Sequence, residues 1–210
     1  MFKKYKCLLI VFLLFFSINF NTYALAIYGS FVVMPMNITN QWAVAGGAAI
    51  TLSFDNWIFS LGSYNDIIRN VKARFTYDLL DEKPYTPRLI NNFFELEAGK
   101  QFPLSKDIGF LATGKFGLND VKYRVILSQT EFLALDNLPD FGRKWYFTLA
   151  PSCGAYYDIG NWIRFSTVVA YRFSLGANYI VKNIEDISLL DKDLSGLAIL
   201  FQFQFGDIRE

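Results

Sequence analysis

Toward its end the chain alternates, residue by residue, between large apolar side chains and small or polar ones. Leu197, Ile199, Phe201, Phe203 and Phe205 fall on one face of a strand, and Gly196, Ala198, Gln202, Gln204 and Gly206 on the other. A period of two is the signature of a β-strand with chemically different faces. The pattern recurs upstream. Trp145, Phe147, Leu149, Pro151, Cys153, Ala155 and Tyr157 point one way, against Tyr146, Thr148, Ala150, Ser152, Gly154 and Tyr156. Farther along, Ile163, Phe165, Thr167, Val169, Tyr171 and Phe173 oppose Arg164, Ser166, Val168, Ala170 and Arg172. Read throughout, the alternation predicts eight strands, at about 27–35, 41–53, 57–67, 92–103, 107–118, 144–157, 162–175 and 194–206. Tight polar breaks at 54–56, 104–106 and 158–161 read as hairpin turns. Longer polar stretches at 68–91, 119–143 and 176–193, with a short break at 36–40, separate the hairpins.

The distribution of charge decides which face meets what. A soluble barrel of the lipocalin kind, or a β-sandwich, buries its large apolar face and exposes its charges. Here the charges share a face with small residues, and the opposite face is almost wholly large and apolar. Charge on a lipid-facing strand costs about 2–4 kcal/mol at the bilayer midplane. It occurs on that face only at Lys100, near a turn, where a long side chain can snorkel. Strands of this length cross a membrane when tilted. The prediction is therefore an all-β, eight-stranded antiparallel up-and-down transmembrane β-barrel with short periplasmic turns and longer extracellular loops. Trp42, Trp57, Trp145 and Trp162 each stand where a strand begins, as aromatic girdles at both interfaces require. Strict alternation turns Trp162 inward, which calls for a bulge there or makes that residue a plug of the periplasmic mouth.

At 210 residues the chain is one domain's length, and a net charge of +1 gives no electrostatic case for a nucleic-acid partner. Lys3, Lys4 and Lys6 precede an apolar run from Cys7 to Ser17, and Ala24-Leu25-Ala26 offers a small-x-small cleavage site. Residues 1–26 thus read as a secretory signal peptide and 27–210 as the barrel domain, exported across the inner membrane to the bacterial outer membrane. Cys7 leaves with the signal, so Cys153 has no intramolecular partner. No later segment has eighteen uninterrupted apolar residues, which leaves no candidate transmembrane helix.

Trp145-Tyr-Phe-Thr-Leu-Ala-Pro151, Trp162-Ile-Arg-Phe165, Tyr171-Arg-Phe173 and Asp193-Leu-Ser-Gly196 with Phe203-Gln-Phe-Gly206 resemble a family of small, functionally uncharacterised outer-membrane β-barrel proteins of Gram-negative bacteria. Ala43–Ile50 and Phe94–Gly99 extend the likeness more weakly. The resemblance implies a barrel of about eight strands and no activity. Two features depart from that family: residues 69–91 are longer than its usual second loop, and the chain continues past Phe205 as Gly-Asp-Ile-Arg-Glu210. Such barrels usually end at or near the aromatic residue read by the insertion machinery, which the last strand is expected to engage here.

The sequence contains no histidine. Enzymes known on outer-membrane barrel folds resemble one another in using a histidine as base or acid. General acid–base work would otherwise fall to a carboxylate or lysine, and no Asp or Glu dyad motif is present. No phosphate loop or zinc spacing occurs either, so the expectation is a non-enzyme without cofactor or metal. Asp191-Lys-Asp193-Leu-Ser195-Gly196 matches the opening of a calcium loop, but Gln202 stands where that loop needs Glu. A solvated loop entering the last strand is the preferred reading. Inward parity collects Glu95, Glu97, Lys115, Arg164 and Arg172 in the lumen. A three-residue turn at 104–106 would set Pro103 against Asp107 and Glu95 opposite Lys115, a structural ion-pair plug or the gate of a narrow pore. The small stripe Ala43, Ala45, Gly47, Ala49 and Thr51 makes room for a ligand or for bulky side chains from across the lumen. Tyr77, Tyr85, Phe132, Leu135 and Phe141 form the candidate loop-binding surface, and the alternating runs 71–80 and 121–127 suggest strands that project beyond the membrane. The functional expectation is a monomer among outer-membrane lipids with a structural or surface-binding role toward an extracellular ligand. A narrow gated pore is the alternative, and a lipid-acting enzyme follows behind it.

Overall fold

Eight long strands close on themselves in the computed structural model, which describes residues 26–68, 77–78, 84–85, 87–125, 140–180 and 188–206. They are β1 Ala26–Ile38, β2 Gln41–Phe54, β3 Trp57–Ile68, β4 Pro87–Pro103, β5 Ile108–Val125, β6 Asp140–Ile159, β7 Ile163–Leu175 and β8 Gly196–Gly206. Each strand pairs antiparallel with its sequence neighbours, and β1 pairs with β8 to seal the barrel. Two-residue ladders join Tyr77–Asp78 to Pro84–Tyr85 and Tyr179–Ile180 to Ser188–Leu189. A single helical turn, α1 Asp191–Leu194, lies between β7 and β8. No helix among the described residues is long and apolar enough to cross a membrane.

The strands differ from expectation mainly in reach. The break at 36–40 contracts to a two-residue turn, because Thr39 and Asn40 both adopt positive φ, 51° and 59°. Asp55 and Asn56 do the same at 47° and 64°, giving a second turn of this primed type, whose twist matches its strands. β4 starts at Pro87, β5 runs on to Val125 and β6 starts at Asp140, so much of the expected loops is strand. β8 starts at Gly196 because the preceding residues make α1. Ala26, expected as the last residue of the signal, opens β1 opposite Ser53. The rest of the signal lies outside the described residues.

Following cross-strand partners from Trp145 through Asp120, Asn92, Asn65, Gly46, Val33, Phe201 and Thr167 returns to β6 at Ala155, a stagger of ten residues. With a rise of ~3.3 Å per residue and strands ~4.8 Å apart, that stagger over eight strands tilts them by about 40°. The outward run from Trp145 to Tyr157 then spans roughly 30 Å along the barrel axis, the thickness of a hydrocarbon core. Its faces are those that alternation assigned. Phe31, Ile50, Leu96, Phe110, Phe116, Phe147, Tyr171, Phe173 and Phe203 are exposed outward, while Tyr28, Met34, Tyr64, Tyr146 and Leu200 are buried inside.

The small inner stripe of β2 accommodates bulk from its neighbour. A Cβ at Gly47 would collide with the Ser63 carbonyl and the Tyr64 ring. Tyr64, 2% exposed, fills that space.

Candidate functional site: the lumen network and the outer rim

At the end bearing the short turns, Arg164 on β7 donates Nε to Asp158 Oδ1 at 2.5 Å and Nη2 to Oδ2 at 3.0 Å. Its Nη1 reaches Gln101 Oε1 on β4 at 2.7 Å, and Gln101 Nε2 continues to Ser53 Oγ on β2 at 3.0 Å. The guanidinium stacks 4.0 Å from the Tyr156 ring centroid, with Tyr28 farther off at 5.9 Å. A charge this deep needs such saturation, because burying an unpaired ion costs several kcal/mol.

Nearer mid-height, Lys115 Nζ pairs with Glu97 Oε2 at 2.8 Å. Thr113 Oγ1 donates to Glu97 Oε1 at 2.7 Å and lies 2.5 Å from Ser152 Oγ. Arg172 pairs with Glu95 and lies over Phe93, its Cζ 4.4 Å from the ring centroid. Glu95 Oε2 and Arg172 Nη2 have no hydrogen-bond partner among the described residues. Above them, the Asn91 amide donates to Asp66 Oδ2 at 2.7 Å, and Asn91 Nδ2 to the Tyr146 hydroxyl at 2.6 Å. A cavity of about 10 Å³, room for a single water, lies among Tyr28, Ser60, Glu97, Arg164 and Gln204.

The expected pairing of Glu95 with Lys115 is corrected. Lys115 stands opposite Glu97, and Glu95 stands opposite Gly117. Five residues, 104–108, lie between the paired strand ends rather than three, so Pro103 faces Gly109 and not Asp107. Ser105 Oγ accepts from the amides of Asp107 and Ile108 at 3.4 and 3.2 Å, which stabilises the longer turn. Both glutamates still face inward, because a slip of two residues preserves the face.

Trp162 is corrected as well. It belongs to the turn that follows Gly160 (φ +70°), is 66% exposed, and neither turns inward nor plugs the mouth. Trp57 is exposed at the same end, and Lys100 Nζ reaches to 5.6 Å from its ring centroid. Trp42 and Trp145 are exposed at the opposite end.

The expected loop surface is only partly visible. Tyr77 and Tyr85 are backbone partners in a two-residue ladder. Phe141 lies in β6 rather than in a loop, and Phe132 and Leu135 lie outside the described residues. The stretch matching a calcium loop is not the solvated segment expected. Asp193 is buried, and its Oδ2 accepts from the Leu190 amide at 3.0 Å. Asp191 Oδ1 accepts from the Ala177 amide at 2.6 Å, and the Ser195 hydroxyl donates to the Asp191 carbonyl at 2.8 Å. These side chains cap backbone around α1 instead of converging on a cation. Cys153 is a free thiol on the outward face.

Sequence reasoning missed Asp158, which had been assigned to a turn. Carrying the alternation of Tyr156 two residues further turns it inward. Gln101 was also missed, although it shares parity with Glu95 and Glu97. The outward cluster of Asn92, Asp120 and Arg143 had no sequence signal, because its members come from three strands. Arg143 Nε donates to Asp120 Oδ1 at 2.8 Å, Asn92 Nδ2 donates to Asp120 Oδ2 at 3.1 Å, and Arg143 stacks on Trp145 at 4.5 Å.

No protein-family model matches the sequence, and no curated protein is significantly similar to it. Among solved structures the chain is similar to Neisserial surface protein A, with a TM-score of 0.57 and 8% identity over 88% of this chain and 99% of that one. It also aligns with Ail, the attachment invasion locus protein of Yersinia pestis, with a TM-score of 0.46 and 10% identity over 86% of this chain and 97% of that one. A strand count of eight, antiparallel closure, an apolar exterior and a charged interior, together with the first of these likenesses, give this chain the fold of a small eight-stranded outer-membrane β-barrel of the Gram-negative type.

Proposed function

We propose that the chain is an outer-membrane barrel that acts at the cell surface through its long-loop end, with a lumen that carries no solute. The observation that carries this reading is the set of three buried ion pairs, Arg164–Asp158, Lys115–Glu97 and Arg172–Glu95. Tyr64, Tyr146 and Phe93 are buried inside the barrel with them. An eight-stranded barrel has an interior that side chains fill, which supports a lumen without an aqueous path among the described residues. Function then falls to what projects, and connections borne on a rigid scaffold are where binding residues concentrate. In this reading the N-terminal segment is a cleaved signal, β8 engages the insertion machinery, and the mature protein is a monomer among outer-membrane lipids. Its partner is an extracellular ligand.

The test removes residues 128–138 from the full-length protein. The expected outcome is retained heat-modifiability on gels, which reports a closed barrel, with loss of partner or phage adsorption by expressing cells. Loss of heat-modifiability would make the connection structural and overturn the reading. A narrow gated pore is the second reading, favoured by the small cavity beside Glu97 and by the half-satisfied Glu95–Arg172 pair. Planar-bilayer recording separates the two. The sealed lumen gives no resolvable conductance, whereas steady openings abolished by Glu95→Gln would install the pore.

A further inference from the structure

Beyond the Trp145 girdle, β4, β5 and β6 continue past the level at which β1 and β2 turn back, and their register assembles an unusual grouping. Arg88 is the cross-strand partner of Arg124, and Lys122 is the partner of Arg143. Like charges set directly opposite in an antiparallel pair are destabilising, yet here two such pairs occur side by side on three adjacent strands. Among the described residues of these three strands, the acids at this level are Asp120, on the Arg143 Nε, and Asp140, the cross-strand partner of Arg124. Among those described residues, four basic positions stand against two acidic ones. Arg143 shares the outward face of Trp145 and packs on its ring, and its side chain is 47% exposed despite the contact with Asp120. Lys122 shares that face and is part-exposed.

Depth selects the partner. Trp145 marks the edge of the apolar belt, and Arg143 lies two residues beyond it. At a tilt of about 40° that is roughly 5 Å farther along the barrel axis. The headgroup layer of a bilayer extends ~5–8 Å past its hydrocarbon on each side. The Lys122–Arg143 pair therefore sits at headgroup depth on the lipid-facing side.

We propose that Lys122 and Arg143 form a docking surface for the phosphate groups of lipid headgroups in the leaflet at the long-loop end. Phosphate oxygens would relieve the repulsion between the paired cations, and the guanidinium fork of Arg143 suits a bidentate phosphate contact. Seated there, the headgroups would bind the barrel's tall wall, β4 to β6, to the membrane surface and leave the low β1–β2 side without such anchors. The surface stands apart from the lumen and does not depend on what the loops bind.

The test uses the full-length protein in nanodiscs of phosphatidylcholine mixed with bis-phosphorylated lipid A or with its dephosphorylated form. The lipids retained after mild detergent extraction are counted by mass spectrometry. The expected result is selective retention of the phosphorylated form, lost in 1 M salt. Retention should be weaker by roughly thirtyfold in Lys122→Gln/Arg143→Gln, taking about 1 kcal/mol per basic residue near a charged surface. Because Arg143→Gln also removes the Asp120 partner, Lys122→Gln alone serves as a second variant, with an expected loss of about fivefold. Equal retention of both lipids by the native protein would overturn the proposal. So would full displacement of lipid A by millimolar inorganic phosphate, which would indicate a site for free anions rather than headgroups. Capture of acidic soluble polymers in preference to lipid A would overturn it in favour of an extracellular polyanion.

Discussion

Arg164 and Arg172 lie on the same inward face of the same strand, yet they meet different surroundings. Arg164 has a bidentate carboxylate, an amide oxygen and an aromatic face, and Gln101 ties that cluster onward to Ser53. Arg172 pairs with Glu95 through one nitrogen, which also touches the Met34 sulfur at 3.9 Å, and rests on Phe93. Its other terminal nitrogen and the second Glu95 oxygen lack partners among the described residues. Arg164 is thus bonded through all three of its nitrogens, whereas Arg172 is held by a single charge contact and ring stacking. Sequence alone gives both arginines the same parity and the same chemistry. What separates them is the number of acceptors that neighbouring strands bring within reach.

The sharpest way to break this contrast is Asp158→Asn. It leaves Arg164 charged and buried against a neutral side chain, and the expected loss is about 3–5 kcal/mol, read from urea unfolding of the refolded barrel. A loss under about 1 kcal/mol would mean the two arginines are held alike. Glu95→Gln should cost less, about 1–3 kcal/mol, because the amide oxygen still accepts from Arg172 and the stack on Phe93 persists. An effect as large as that of Asp158→Asn, in the same unfolding assay, would erase the distinction. The smallest net effect is expected when both members of the half-satisfied pair become apolar, as in Glu95→Leu/Arg172→Met. Replacing a buried ion pair by hydrophobic side chains is often neutral or stabilising, so the thermal midpoint on heat-modifiability gels should hold or rise. A marked drop would show that this pair is worth more than its bonding suggests.

How much of this was legible in the sequence depends on what alternation encodes. Strand number and faces follow from a period of two, and they were readable from runs such as 145–157 and 197–205. Register is a different quantity. Moving β4 against β5 by two residues leaves every side chain on its own face, so parity could not tell Glu95 from Glu97 as the partner of Lys115. That choice rested on the turn, where the Ser105 hydroxyl holds a connection two residues longer than the shortest reading allowed. Trp162 failed for a related reason, since the turn after Gly160 takes in one more residue and β7 begins at Ile163. The upward extension of β4 to β6 was half legible. The run after Val121 alternates, but polar residues such as Asn119, Asp120 and Lys122 resemble a loop until three strands bring them together. The like-charged pairs across β4, β5 and β6 had no signal at all, because they exist only once register is fixed.

The two arginine contacts from β7 to β4 also bear on how the chain reaches its native state. Arg164 and Gln101 are 63 residues apart in sequence, and Arg172 and Glu95 are 77 apart. Both contacts join the first four strands to the last four, so neither can form while only the N-terminal half is in place. Until β7 arrives, Glu95 is a carboxylate without its cation, and only water can solvate it. Contacts of such long range are slow to form, because chain entropy is spent before they return anything. Drying of the interior therefore belongs to the last stage of folding, when the two halves meet and the seam between β1 and β8 closes.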